Sequence, residues 1–252
     1  MFLKVIEAGY DATVPYHYGV HAADVLASSY RVLRHNYGKF TIDFRPIEML
    51  AFVVAAAGHD HGHPGVNNGL LVKTSHQIAI DHNDASVLEN HHAASTFHIL
   101  RHPQLNFMQG VSGKEYRLFR AQTIELILAT DMAQHSKHVA VFNEVLAEGN
   151  AGRHHFHQPQ YRMAVRRVAL KLADLGHAFK PPALHRRWSF RIMEEMYRQG
   201  DRERNEGLDV VPVFDRELLP GAAKHQVGFL AAVVLPLAQT WGKLSCWSFP
   251  AD

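Results

Sequence analysis

An abrupt change from apolar to polar residues constrains the fold more than any other feature of the chain. Residues 49–58 are almost wholly apolar, and the string HDHGH at 59–63 follows at once. The run is well short of the ~20 residues of a membrane span and indicates a buried core helix. Burying an aspartate at its end is costly unless a partner compensates, and a helix C-terminus favours a cation. We therefore interpret His59-Asp60 as part of a metal site, the alternative being a solvated loop.

The remaining pattern predicts an all-α fold. Strand signals are nearly absent, with no Asn-Gly or Asp-Gly hairpin between alternating segments. Caps and apolar periodicity predict helices, the last one kinked at Pro236. They cover residues 16–32, 45–58, 84–100, 116–135, 161–174, 188–199 and 225–241. Because none of the connections is a long low-complexity linker, we expect a single compact domain over residues 1–252.

Composition narrows the class of protein. The single cysteine, Cys246, excludes an intramolecular disulfide and a cysteine-based zinc finger, and it favours a reducing compartment. A formal net charge of +2 does not indicate a general nucleic-acid surface. Residues 1–10 lack a signal-peptide pattern. We therefore expect a cytoplasmic protein with neither a nucleic acid nor a membrane as partner.

Two histidines near the N-terminus form a second polar cluster. His17 and His21 are four residues apart, and Asp24 follows three residues later, so a helix places all three near one face. Imidazoles on adjacent turns can both ligate a metal, or one can ligate while the other moves protons. The alternative is a pair of surface histidines on an amphipathic helix.

Three further clusters carry carboxylates. The string LENHH at 88–92 is either a functional group or an ordinary polar helix face. The apolar stripe 124, 127, 128 continues to Asp131 and so delivers it to a buried face, where its expected partner is an Arg or Lys, or else a metal or its bound water. Asp174 closes an apolar run, with His177 after it, and on its own is an ordinary helix end.

Taken together, the clusters favour a metal hydrolase, which needs imidazoles and carboxylates from several helices. Histidine and aspartate ligands without thiolates suit zinc, manganese, iron or magnesium. More than one aspartate favours a binuclear centre and phosphoester chemistry.

Seven strings carry a family resemblance. In chain order they are YHYGVHAADV, AAGHDHGHPGVNN, LENHH, ILATDM, ADLGHAFKP, RIMEEMYRQGDRE and QVGF, between residues 16 and 229. This series resembles the catalytic domain of class I cyclic nucleotide phosphodiesterases, in the HD superfamily of helical metal phosphohydrolases. The resemblance implies a compact multi-helix bundle, shortened here at both ends. Oligomerisation would then cover the surface left by the missing N-terminal helices.

The resemblance also implies roles at a two-metal centre. The first ion, usually zinc, would be held by His21, His59, Asp60 and Asp174. Asp60 would bridge to a second ion, usually magnesium or manganese, whose waters would be steadied by His63, Glu89, Thr130 and Asp131. A hydroxide bridging the metals would attack phosphorus in line. His17 would protonate the leaving O3′, and Glu89 would orient His17.

The implied substrate is a cyclic purine nucleotide, cAMP, cGMP or both. Gln226 would hydrogen-bond the base, and Phe229 and Ile192 would clamp it. Tyr16 and His177 would also lie at this site, and His177 stands where cAMP-selective members often carry Asn. Two alternatives are an HD-type enzyme acting on another nucleotide phosphoester and a non-catalytic nucleotide-binding relic.

Other polar groups receive ordinary interpretations. A solvated loop is favoured over a second metal site for the histidines at 154, 155 and 157. Residues Arg186, Arg187 and Arg191 are expected on a solvated helix face, pairing with Glu194 and Glu195. The string QGDRE at 199–203 is expected to be structural.

Overall fold

The computed structural model describes residues 1–37, 44–149, 158–218 and 221–246, and within these ranges the chain is helical without a strand. This confirms the predicted all-α fold. The histidines at 154, 155 and 157 lie outside the described residues. The α-helices are α1 (Phe2–Ala8), α2 (Gly19–Tyr37), α3 (Pro46–Gly58), α4 (Asn68–Lys73), α5 (Gln77–Asp81), α6 (Val87–Leu100), α7 (Gly113–Leu128), α8 (His135–Gly149), α9 (Pro159–Asp174), α10 (Pro182–Asn205), α11 (Gly221–Phe229) and α12 (Leu235–Cys246).

Two of the differences from the predicted helix boundaries change where site residues lie. The predicted helix 116–135 ends at Leu128, because the Asp131 side chain accepts a hydrogen bond from the Ala133 backbone N–H and caps a short 3₁₀ turn instead. A separate helix, α8, begins at His135. The first predicted helix begins only at Gly19, so His17 lies in the bend before it.

The predicted C-terminal helix consists of two α-helices joined by a π-helical turn. A π-helical turn, Leu230–Val234, joins α11 to α12 directly before Pro236, whose missing N–H accounts for the altered pattern. The resulting helix, Ala223–Leu244, is 22 residues long, and by length and composition it is apolar enough to cross a bilayer. The apolar run at 49–58 is shorter than this helix. Leu237 and Leu244 of this helix are buried in the core.

The hydrophobic core is centred on helices α3 and α9, each of which packs against neighbouring helices. Helix α3 packs against α2 and α7, while α9 packs against α2 and α8. Small residues such as Ala55 and Ala56 are fully buried in α3, and Ala169 is fully buried in α9. A helix that is apolar on nearly all sides, as α3 is, must be covered on all sides. The polar residues directly after α3 are therefore delivered into the interior.

A buried ionic network fastens the beginning of α3 to α9. Glu48 is 1% exposed, and its carboxylate accepts hydrogen bonds from the Arg45 backbone N–H at 3.0 Å and from Arg162 Nε at 3.0 Å. Fully buried Arg166 donates to the Glu48 carbonyl oxygen at 3.0 Å and to Gln122 Oε1 at 2.7 Å. Burial alone would raise the pKa of Glu48, but these arginines and the Arg45 N–H hold it below its usual value.

Replacing Glu48 with Gln is expected to destabilise the fold by about 3–5 kcal/mol, because it leaves Arg166 buried without its counter-charge. The folded-state pKa of Glu48 is depressed, so its ionic contribution is present above the unfolded value near 4.5 and is lost as pH falls. Denaturant unfolding from pH 7 to pH 3 should therefore show the difference between wild type and variant shrinking in acid. A difference that stayed constant with pH would contradict an ionic role.

Candidate metal centre

Four potential ligands from three helices meet at one point. His21 lies in α2, His59 and Asp60 directly follow α3, and Asp174 is the last residue of α9. One donor atom from each lies within 4.8 Å of all the others. His21 Nε2 is 3.0 Å from Asp174 Oδ1 and 3.3 Å from His59 Nε2. The structure thus brings together all four residues predicted for the first metal.

The spacing and chemistry of this cluster fit a tetrahedral ion. Bonds of about 2.0 Å to a tetrahedral zinc place neighbouring ligand atoms about 3.3 Å apart. The observed separations include 3.0 Å between His59 Nε2 and Asp60 Oδ2 and 3.4 Å between His59 Nε2 and Asp174 Oδ1. Asp60 Oδ2 is buried and has no hydrogen-bond partner among the described residues. His59 Nδ1 bonds the Ala56 carbonyl oxygen at 3.0 Å, which directs its Nε2 to the cluster.

Both carboxylates of the cluster are held ionised. Burial alone would raise the pKa of Asp174, but hydrogen bonds from His21 and His59 hold it well below its usual range. Burial likewise opposes ionisation of Asp60, and the nearby His59 and His17 keep its pKa well below normal. Two carboxylates with facing imidazoles, Asp60 buried and Asp174 half-buried, form a donor set for a divalent cation.

His17 is oriented by Glu195, and the prediction that Glu89 does so is wrong. His17 Nδ1 contacts Glu195 Oε1, while Oε2 accepts from the backbone N–H groups of Tyr16 at 2.8 Å and His17 at 3.1 Å. Glu89, in the first turn of α6, instead accepts from Asn68 Nδ2 at 3.0 Å. Burial would lower the pKa of His17, but Glu195 and Asp60 raise it to about 9.

The prediction that Glu195 lies on a solvated helix face is wrong, because Glu195 is buried. Arg191 instead donates to the Pro15 carbonyl oxygen at 3.0 Å, and Glu194 pairs with Arg198. A signal for Glu195 exists, because residues 192, 195, 196 and 199 recur at helical spacing on one side of α10. That side of α10 lines the cavity described below.

Two more imidazoles lie beside the cluster. The ring of His63 stacks on that of His17, with centroids 4.1 Å apart, and its Nδ1 accepts from the Gly65 N–H at 3.0 Å. His92, for which the sequence predicted no separate role, donates from Nδ1 to the His61 carbonyl oxygen at 2.8 Å. Its Nε2 faces Asp60 Oδ1 at 3.9 Å. Burial lowers the pKa of His92 to about 3 and keeps that of His63 well below normal, so both rings are neutral.

The residues predicted for the second ion also face this space. Asp131 accepts hydrogen bonds from Ser86 Oγ and from the Ala133 N–H, both at 2.7 Å, and Thr130 Oγ1 donates to the Ile127 carbonyl oxygen at 2.7 Å. Burial raises the pKa of Glu89. Oxygen donors of this kind suit a hard cation such as magnesium or manganese.

A cavity of about 360 Å³ opens over both groups of residues. Its apolar side includes Ile192, Met196 and Phe214. A Cβ on Gly200 would lie 2.0 Å from the Phe214 carbonyl oxygen, so glycine is needed for Phe214 to approach α10. The polar lining comprises His17, Asp60, His63, Asn67, Asn68, Glu89, His92, Thr130, Asp131, Asp174, Glu195 and Gln199.

Of the five residues predicted to bind substrate, Ile192 lines this cavity and the other four do not. Tyr16 is 5% exposed and packs on His21 and Trp188. The ring of His177 stacks on that of His185. Gln226 accepts from Ser189 Oγ at 3.3 Å, one turn of α10 before Ile192, and Phe229 is half-buried against the core.

Comparison with known proteins adds independent findings. Residues 16–248 match a family described as 3′5′-cyclic nucleotide phosphodiesterase. The probable 3′,5′-cyclic phosphodiesterase pde-3 of Caenorhabditis elegans is 36% identical, over 94% of this chain and 37% of its own. The 3′,5′-cyclic-AMP phosphodiesterase 4C of Rattus norvegicus is 37% identical, over 96% of this chain and 45% of its own length. The protein of the same name from Mus musculus is 36% identical, over 96% of this chain and 35% of its own length. The chain thus spans less than half the length of these relatives.

The cluster predicts a firmly bound metal that depends on Asp174. Elemental analysis of the purified protein should find roughly one tightly held ion per chain, and Asp174→Asn should lower that content at least tenfold. Asp24→Asn is the matched control, because Asp24 is a carboxylate on α2 that pairs with Lys180. Equal metal content in wild type and Asp174→Asn would contradict the assignment.

Proposed function

The chain belongs to the 3′5′-cyclic nucleotide phosphodiesterase family, and on that basis we propose that it hydrolyses 3′,5′-cyclic nucleotides, cAMP, cGMP or both, to nucleoside 5′-monophosphates. The observation that carries the proposal is that two groups of residues with complementary chemical roles line one cavity. Asp60 and Asp174 of the metal cluster line it, and so does His17 with its partner Glu195. Phosphodiester hydrolysis needs an activated water on one side of phosphorus and a proton donor on the other.

Divalent ions would be held by the residues already described. His21, His59, Asp60 and Asp174 fit zinc, and the oxygens of Asp131, Thr130 and Glu89 fit the hydration shell of magnesium or manganese. When bound, the two ions supply activation of the nucleophile and neutralisation of phosphate charge. His63 and His92, both neutral, would orient water beside Asp60.

His17 has the geometry of a general acid. Its Nδ1 is engaged by Glu195, which leaves Nε2 as the nitrogen free to reach a substrate in the cavity. As a water that gives up one proton to solvent adds its oxygen to phosphorus and the bond from phosphorus to O3′ breaks, Nε2 would give its proton to O3′. The raised pKa of about 9 keeps the imidazole protonated at neutral pH.

The purine would occupy the apolar side of the cavity. Ile192, Met196 and Phe214 form a surface against which a flat base can pack, and a base stacked on an aromatic ring gains about 1–3 kcal/mol. Gln226 accepts a hydrogen bond from Ser189, one turn of α10 before Ile192, and its proposed bond to the base edge rests on the family resemblance. The proposed contacts of Phe229, His177 and Tyr16 with the nucleotide rest on the family resemblance.

A substrate panel with a matched pair of variants tests the proposal. Wild-type protein with Mn²⁺ or Mg²⁺ should hydrolyse cAMP or cGMP in preference to cyclic dinucleotides and nucleoside monophosphates. His17→Ala should keep its bound metal and lose about 10²–10⁴-fold in kcat, because only the acid is removed. Turnover of another phosphoester with no cyclic mononucleotide hydrolysed would favour the alternative HD-type activity. Absence of all turnover by metal-loaded protein would favour a binding relic.

The Glu195–His17 pair also predicts a change in pH dependence. His17 must be protonated to act as an acid, so activity is present below its pKa and is lost as pH rises through it. Because Glu195 raises that pKa, Glu195→Gln should move the alkaline limb of kcat/KM to lower pH and lower its maximum.

Glu194→Gln is the control for this measurement, since the neighbouring Glu194 is part-exposed and pairs with Arg198. Glu194→Gln should leave the alkaline limb of kcat/KM at the wild-type pH. An alkaline limb that is unmoved in Glu195→Gln would contradict the role assigned to the pair.

A further inference from the structure

A buried lysine lies directly behind the predicted second-ion residues. Lys171 is three residues before Asp174, so both project from one side of α9. Its side chain is 2% exposed, and its neighbours in the helix, Leu170 and Leu172, are buried apolar residues. An ammonium group in such surroundings is costly unless it is fully hydrogen-bonded.

The acceptors of Lys171 are backbone carbonyls of a single turn. Its Nζ donates to the carbonyl oxygen of Ala129 at 2.6 Å and lies 3.5 and 3.4 Å from those of Thr130 and Asp131. These residues directly follow α7, which ends at Leu128. The last carbonyls of a helix lack intrahelical partners and carry partial negative charge, so the ammonium caps α7 from a different helix.

The opposite side of the same turn faces the cavity. The side chains of Thr130 and Asp131 line it, and the Asp131 carboxylate is oriented by Ser86 Oγ and the Ala133 N–H. The turn is therefore held in two ways, by Ser86 through the Asp131 side chain and by Lys171 through the backbone carbonyls. Without Lys171, the backbone carrying Asp131 would lose its only cationic anchor among the described contacts.

We propose that Lys171 is a positioning residue for the second divalent cation, a hard oxygen-preferring ion such as Mn²⁺ or Mg²⁺. By fixing the 129–131 turn, it sets where the oxygens of Thr130 and Asp131 stand relative to Asp60. Helix α9 then serves both ions, the first through Asp174 itself and the second through Lys171. The inference rests on the proposed function, because it requires that a second ion binds beside Asp60.

A purely structural role for Lys171 is the competing explanation, and the chain offers a matched control for it. Arg166 is likewise a fully buried cation of α9 that donates to a backbone carbonyl, that of Glu48. It lies in the middle of α9, its contacts are with Glu48 and Gln122 rather than with the 129–131 turn, and it does not line the cavity. Arg166→Met should therefore lower stability without disturbing the 129–131 turn.

The experiment is a Mn²⁺ titration of zinc-loaded wild type, Lys171→Met and Arg166→Met, following free Mn²⁺ by electron paramagnetic resonance, with denaturant unfolding alongside. Lys171→Met should bind Mn²⁺ about tenfold more weakly with unchanged zinc content, as expected for a residue that orients metal-site groups. Arg166→Met should lose stability and keep the wild-type Mn²⁺ affinity. If Lys171→Met does not fold, the milder Lys171→Gln carries the same comparison.

Two results would overturn the inference alone: wild-type Mn²⁺ affinity in the Lys171 variant, or equal weakening in the Arg166 variant. A zinc-loaded wild type that binds no Mn²⁺ would instead overturn the two-ion centre, and the inference with it.

Discussion

The structure depends on the placement of two carboxylates, Asp60 and Asp174, in the interior of a helical bundle. Neither has an Arg or Lys among its ion-pair partners in the described residues; both face histidines. Two unpaired carboxylates this close together, one buried and one half-buried, would be destabilising, and an imidazole neutralises their charge only when it is protonated. A divalent cation would neutralise the carboxylates and would also bind the imidazoles in their neutral form. We therefore expect folding around this centre to be coupled to the binding of a divalent metal.

Helices α3 and α9 position this centre because they contact each other at both of their corresponding ends. At one end, Glu48 of α3 meets Arg162 of α9, and at the other, Asp60 after α3 meets the cluster of Asp174. Glu48 and Asp60 are twelve residues apart in the chain, and so are Arg162 and Asp174. Twelve residues correspond to about 18 Å along a helix. The two helices thus run side by side in the same direction. A structural ion pair fixes one end and the metal cluster occupies the other, so a shift in register would disturb both.

Much of this arrangement could be predicted from local sequence. The apolar run of α3 and its abrupt end at His59-Asp60 indicated a buried helix delivering ligands, and the structure has that helix at Pro46–Gly58. The break after Leu128 was not predictable from periodicity, because it depends on Asp131 bonding its own backbone. The partner of His17 was missed because Glu195 is 178 residues away in the chain, and only the packing of α10 against the bend before α2 brings the two together. Helical spacing could still have placed Glu195 on the cavity side of α10.

The most direct test of the central claim is X-ray absorption spectroscopy at the zinc edge on the purified protein, with anomalous diffraction from its crystals. The account predicts one ion bound by two imidazole nitrogens and two carboxylate oxygens at about 2.0–2.2 Å, its anomalous peak lying between His21, His59, Asp60 and Asp174. An ion held by other residues, or an empty cluster in active protein, would contradict it.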